Sequence, residues 1–166
     1  MNYPDGSTGP FLIFQSSGLD CAFALKAVHE VVPMAALFAP PGMPSGITGF
    51  LDLRGQAIPI LRLDLLFDLP EQRPGRHTPI ILLRVAGNLI GILAESIRQI
   101  ASPLADSWLP RDAKSIFHEC AVATFVIDER LTHLLAADGI LLEHERRLVS
   151  EFQTVAQERL RLLEVT

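Results

Sequence analysis

Apolar residues recur along this chain with two spacings. As far as about residue 140 they alternate with polar residues or run unbroken over short stretches, as half-buried and fully buried strands do. Beyond Leu141 the repeat lengthens to about three and a half residues, the period of a helix face. The first regime predicts strands at Phe11–Gln15 and Cys21–Leu25, paired as a hairpin across the turn chemistry of Ser16–Asp20. Residues 26–33 continue extended until Pro33, which has no N–H to give to a ladder. Residues 47–61 fold back on themselves at Arg54-Gly55, where glycine takes a positive φ without steric cost. Thr78–Val85 is apolar on both faces and predicts a deeply buried strand. After a turn at Ala86–Asn88, Leu89–Ile100 reads as one returning strand. Residues 101–118, with Pro103, Trp108 and Pro110, read as irregular, and Cys120–Val126 and Leu131–Leu135 as a last hairpin across Asp128–Arg130.

Asp138 is a good N-cap for a helix starting near Ile140. Along that helix Leu148, Phe152, Val155, Ala156, Leu160 and Leu163 form an apolar stripe, with Glu145, Arg146, Glu151, Glu158 and Arg161 over much of the remainder. Such a stripe either docks on the chain's own strands or offers a seam to a partner or a second copy. The organisation follows: a mobile leader over 1–10, a folded domain over 11–140 with a Pro-rich linker between two lobes at 70–77, and an amphipathic helix over 141–166. A second Pro-rich stretch, residues 39–46, is a stiff loop leading into the Arg54-Gly55 hairpin.

Composition narrows the class. Apolar residues make up 49% and charged residues 20% of the 166 positions, and the mean hydropathy is +0.31. No uncharged apolar span is long enough for a membrane helix, so direct membrane insertion is not expected. A large strand core, or an exposed apolar patch for a partner, accounts for the hydropathy. The net charge of −5 and the lack of a dense Lys/Arg cluster argue against nucleic acid. The single Tyr and single Trp give no stacking platform. Cys21 and Cys120 lack the spacing of a metal or redox pair and read as buried thiols in a reducing cytosol.

Chemistry for catalysis is missing. His29, His77, His118, His133 and His144 show no metal-ligand spacing, and no phosphate-binding glycine loop is present. His118 and Cys120 are near in sequence, but a nucleophile pair needs an activated thiol and an orienting third group. Neither an enzyme nor a cofactor or metal is expected. Candidate function therefore lies on the surface: Val28, Glu30, Leu53, Arg54 and Gly55, beside the Pro40–Gly46 loop. Arg54 is held at a turn, free to contact a partner or to close its own hairpin by a salt bridge.

The stretch Gly49-Phe50-Leu51-Asp52-Leu53-Arg54-Gly55-Gln56-Ala57-Ile58-Pro59-Ile60 resembles the signature of the CheW-like adaptor family of bacterial chemotaxis. That signature reads Gly, two apolar residues, Asn, Leu, Arg, Gly, a variable position, two apolar residues, Pro and an apolar residue. Val28-His29-Glu30-Val31 matches the family's Val-x-Glu-Val, and Gly91 to Ile97 a later motif with Glu95 for the usual Asp. Arg62 stands where the family usually has Asp. The resemblance covers residues 11–140. It implies a mainly β fold of two small five-stranded SH3-like barrels around a shared core, plus a C-terminal helix. It also implies a cytoplasmic, non-catalytic adaptor that joins chemoreceptor tips to the regulatory domain of a CheA-type histidine kinase, with Glu30 and Arg54 on the receptor side. Self-association through the helix is a further possibility. The alternatives are an adaptor of a related pathway, such as type IV pilus twitching, and a small β-barrel ligand-binding module.

Overall fold

A computed structural model of the chain describes residues 9–109, 120–141 and 143–164, the side chains of residues 143 and 144 excepted. Most of the leader, and His118, lie outside the described residues. Alternation along the first strand, β1 (Phe11–Ser16), sets the architecture. Phe11 and Ile13 enter one apolar cluster and Leu12 and Phe14 another, because successive side chains of a strand point to opposite faces. The remaining strands are β2 (Leu19–Ala24), β3 (Val28–Pro33), β4 (Ile47–Leu53), β5 (Gln56–Leu61), β6 (Pro79–Val85), β7 (Asn88–Leu93), β8 (Ser96–Ala101), β9 (Trp108–Leu109), β10 (Ala121–Ile127) and β11 (Arg130–Leu135). Among the described residues two α-helices accompany them, the short α1 (Leu63–Leu66) and the long α2 (Glu143–Glu164). Neither is long and apolar enough to cross a membrane.

The strands form two sheets. One has six strands in the order β8-β1-β2-β11-β10-β9, the other five in the order β3-β6-β7-β5-β4. Each curls around its own apolar cluster. Phe11, Ile13, Ala22, Ala123, Phe125 and Leu134 fill the first, with Trp108 edge-on to Phe11 at 6.0 Å between ring centroids. Leu51, Ile58, Ile60, Ile80, Leu82 and Leu93 fill the second. The third and largest cluster lies between the sheets, where Leu12, Phe14, Cys21 and Phe23 of one meet Leu61, Ile81, Leu83 and Ile92 of the other. The fold is thus mainly β, with a shared core and a C-terminal helix. The expected five-plus-five count becomes six-plus-five because two-residue β9 joins the first sheet beside β10. No ladder among the described residues closes either sheet into a ring.

Connectivity differs from a plain division into halves. The chain passes between the sheets at β2–β3 and again at β7–β8. Residues 70–77 run between α1 and β6, so the strands on either side of them, β5 and β6, share the five-stranded sheet. The single strand expected over Leu89–Ile100 divides at Ala94–Glu95. Consecutive amides there bond different sheets: Ala94 N–H donates to the Pro79 carbonyl at 3.1 Å, and Glu95 N–H to the Gln15 carbonyl at 2.7 Å. Apolar residues continue on both sides of the crossing, from Leu89–Ala94 to Ile97 and Ile100, which is why it reads as one strand.

Helix α2 docks on the outer face of the β4–β5 hairpin. Val149, Ala156 and Leu160 are buried and Phe152 is half-buried, whereas Leu148, Val155 and Leu163 of the expected stripe are exposed. The inward arc is turned because Gln153 and Gln157 occupy it, bonding the main chain of β5. Asp138 falls in a 3-10 turn, Ala137–Gly139, and α2 is described from Glu143, so the helix starts later than the N-cap signal suggests.

Packing between β5, β6 and β7 leaves no room at Gly91. A Cβ there would collide with Ile60 Cδ1 and lie 3.0 Å from Ile80 Cγ2. Gly91→Ala is expected to destabilise the chain by about 1–3 kcal/mol, as overpacking of a tight core does. Urea denaturation would show this as a lower midpoint at unchanged slope.

Candidate functional site

The hairpin between β4 and β5 pairs Leu53 with Gln56 across a two-residue turn. Arg54 and Gly55 take φ of 52° and 85°, the positive pair that lets a tight turn follow the twist of the strands. Glycine adopts this freely, but arginine does so at a cost of about 1–2 kcal/mol. Asp52 offsets that cost, since its Oδ1 accepts a hydrogen bond from Gly55 N–H at 2.9 Å. The hairpin is therefore closed by Asp52 and the main chain. Arg54 is exposed and has no ion pair among the described residues. Leu53 beside it is half-buried and packs toward the core of the five-stranded sheet.

Val28 and Glu30 lie together on β3, both half-buried. Val28 reaches the shared core, and Glu30 Oε1 lies 3.6 Å from His29 Nε2. On its other side the His29 ring accepts, at Nδ1, a bond from Arg84 Nη2 at 2.8 Å. In ladder order β3 and β4 are the two edges of the five-stranded sheet. The five candidate residues thus form two groups, Val28 with Glu30 and Leu53 with Arg54 and Gly55, on opposite edges of one sheet.

Arg62, which stands where the family usually has Asp, is bound into the fold. It grips both oxygens of Asp64, Nε to Oδ1 at 3.1 Å and Nη2 to Oδ2 at 2.6 Å. Nη2 also donates to the Gln72 carbonyl at 2.6 Å. Gln72 N–H returns a bond to Asp64 at 2.9 Å, and Gln72 Oε1 accepts from Ser16 Oγ at 3.2 Å. Ser17 Oγ donates to the Pro70 carbonyl at 2.8 Å. Residues 70–72 are in this way fastened both to the β1–β2 turn of one sheet and to the end of β5 in the other. Nothing in the local pattern of Arg62-Leu63-Asp64 marked this role, because the partner Gln72 is set by tertiary packing.

A second buried carboxylate, Asp20, receives Arg130 Nε at 2.5 Å and Nη2 at 3.0 Å, with Gln15 Nε2 at 3.2 Å and Arg98 Nε at 4.0 Å. The bond from Arg130 is the main cause that holds its pKa below the ordinary 3.8, against the opposing effect of burial. For Asp64 burial is the largest influence and acts upward, yet the bonds from Arg62 and from Gln72 N–H together outweigh it, and the pKa is also lowered. Burial pushes the Cys120 thiol up to about 12 and the Cys21 thiol higher still. Thiols held protonated in this way are poor nucleophiles. Burial lowers the pKa of His133, with Asp20 acting weakly in the other direction. Among the described residues no cluster of three His, Cys, Asp or Glu side chains could hold a metal ion.

A family model described as the CheW-like domain matches residues 10–145 of this chain. Among solved structures, the chain is similar to the scaffolding protein TtCheW from Thermoanaerobacter tengcongensis. The two are 19% identical with a TM-score of 0.72, over 79% of this chain and 90% of that one. Identity at that level speaks for a common fold. No curated protein sequence matches this chain with significance.

The fastening at Arg62 is testable through stability. Side-chain exposures of 16% and 3% make Arg62–Asp64 a largely buried pair. Arg62→Ala leaves the carboxylate buried without its cation, with the Gln72 N–H still bonded to it, and is expected to cost about 3 kcal/mol. The lowered pKa values of Asp20 and Asp64 fix the sign of the acid response. Their contribution is complete above the unfolded value of 3.8 and is lost as pH falls through the lower folded values. Urea midpoints measured from pH 7 to pH 3 should stay level in these groups down to about pH 5 and then fall. Asp64→Asn should flatten that fall.

Proposed function

The chain belongs to the CheW-like family, a family of scaffolding proteins rather than enzymes, and from that premise we propose that it couples chemoreceptors to a CheA-type histidine kinase. Its place would be the cytoplasm, with the receptor tip on one surface and the kinase regulatory domain on another. The observation that carries this reading is the state of Arg54. The hairpin holds an arginine at positive φ, closes its turn with Asp52, and leaves the guanidinium exposed without an ion pair among the described residues. A structural role would give that cation a carboxylate, as Arg62 and Arg130 have. A guanidinium in this condition suits bidentate recognition of a carboxylate on a partner.

Glu30 on the opposite edge strand would supply a second receptor contact, of opposite charge. Kinase contact would use sheet edges and exposed strand surface such as Val31, 41% exposed on edge strand β3. Interfaces of that kind fall in the small class, under about 1,200 Å². Binding both partners at once would fix their relative position, so that a change in receptor state biases the kinase between conformations.

Calorimetric titration against a soluble fragment of the chemoreceptor tip and against the kinase regulatory domain tests the proposal. Micromolar binding to each is expected. Arg54→Ala should weaken the receptor titration at least about tenfold, the loss of a charge-assisted contact. Its kinase titration should be unchanged and its stability within about 0.5 kcal/mol of wild type, as for other exposed positions. A loss of several kcal/mol in stability would assign Arg54 to the fold instead.

A further inference from the structure

Over Gln56–Pro59, strand β5 has no ladder partner on its β7 side among the described residues, since those strands pair only at Ile60 with Gly91 and Leu61 with Ile92. Main-chain groups left open in this way must bond water or something else. Here α2 supplies the bonds with two side-chain amides. Gln157 Oε1 accepts from Ala57 N–H at 3.0 Å, Gln153 Nε2 donates to the Ala57 carbonyl at 3.0 Å, and Gln157 Nε2 donates to the Gly55 carbonyl at 2.8 Å. Below them is a small cluster, Phe50, Ala57, Ala156 and Leu160 with Phe38, Met43 and Phe152 at its margin, distinct from the shared core but touching it through Met43, which packs on both. The end of the helix reaches the turn itself, for a Cβ on Gly55 would lie 2.9 Å from Glu164 Oε1.

From these contacts we propose that α2 is a cis-acting cover on the β4–β5 hairpin, whose release exposes the surface that receives the receptor. The inference rests on the adaptor reading of Arg54-Gly55 given above. Three features favour a cover over a permanent part of the core. Few of the helix's 22 residues are buried: Val149, near its start, reaches the shared core, while Ala156 and Leu160, further along, meet only a satellite cluster. Its polar grip is made by glutamine side chains on groups that water can bond equally well once the helix lifts. Finally, almost all of α2 lies beyond residue 145, where the match to the CheW-like domain ends. Docked, the helix sets the Glu164 carboxylate beside the arginine turn and buries Phe50 and Ala57 completely. Elements of this kind open locally, well below the cost of global unfolding.

Two measurements on the full chain decide the matter. The first is amide hydrogen exchange on the isolated protein. Ala57 and the amides of α2 are expected to exchange at least about 100-fold faster than those of Ile81 and Leu82 in β6, by local opening. Gln153→Ala/Gln157→Ala should speed exchange in α2 and at Ala57 and leave β6 unchanged. The second is calorimetry with the chemoreceptor-tip fragment, in which the double variant should bind about 3–10-fold more tightly, because its open form is more populated. Its kinase titration should not change. Exchange of α2 in step with β6, or a variant that binds the receptor fragment no tighter than a binding wild type, would overturn the cover alone. A wild type and variant that both fail to bind would overturn the adaptor reading, and the inhibitory role with it.

Discussion

Burial on both faces of the same strands is the constraint from which this structure follows. Strands β1 and β2 on one side, and β5, β6 and β7 on the other, each serve the interior of their own curled sheet and the core between the sheets. A strand in that position has no solvated face, so it cannot carry the polar half of an alternating pattern. Phe11-Leu12-Ile13-Phe14 and Ile80-Ile81-Leu82-Leu83 are the result, with every side chain buried. The high mean hydropathy of a chain with no helix, among the described residues, long and apolar enough to cross a membrane has the same origin.

Charges are handled in two ways, and the contrast separates scaffold from surface. Asp64 and Asp20 are buried, and each is held by an arginine with further bonds from Gln72 or Gln15. Leaving any of these polar groups unpaired in low dielectric would be costly, which is why the partners come as sets. The Asp64 set also ties the segment after α1 to the β1–β2 turn, and so fixes the two sheets relative to each other at their rim as the shared core does at their centre. Arg54 is treated in the opposite manner. Its backbone is constrained by the turn, while its side chain is left to solvent.

Helix α2 adds a third kind of contact, side-chain amides standing in for a missing strand. Splaying of β5 from β7 beyond Ile60 opens main-chain groups at Ala57 that no strand reaches. Glutamines spaced four apart lie on one face of a helix and can bond both sides of a single residue. That same requirement turns the helix, placing Val149 inward and Leu148 outward.

Most strand positions, the Arg54-Gly55 turn, the buried cysteines and the presence of a terminal helix were legible from the sequence, because each depends on local periodicity or on the conformational range of one or two residues; two-residue β9, within a stretch that reads as irregular, was not. Motif spacing at Gly49–Ile60 and at Val28–Val31 carried the family likeness for the same reason. Three things were decided only by the tertiary structure. The break of residues 89–100 into β7 and β8 depends on where consecutive amides find acceptors, at Pro79 and Gln15, far away in sequence. Arg62 became a fastening residue because packing brought Gln72 and Asp64 around it. The inward arc of α2 was set by the open edge of β5, and hydrophobic periodicity holds no record of a main-chain group that needs a partner. Local pattern fixes which residues must be buried, whereas long-range packing fixes which polar groups those burials leave to be paired, and by whom.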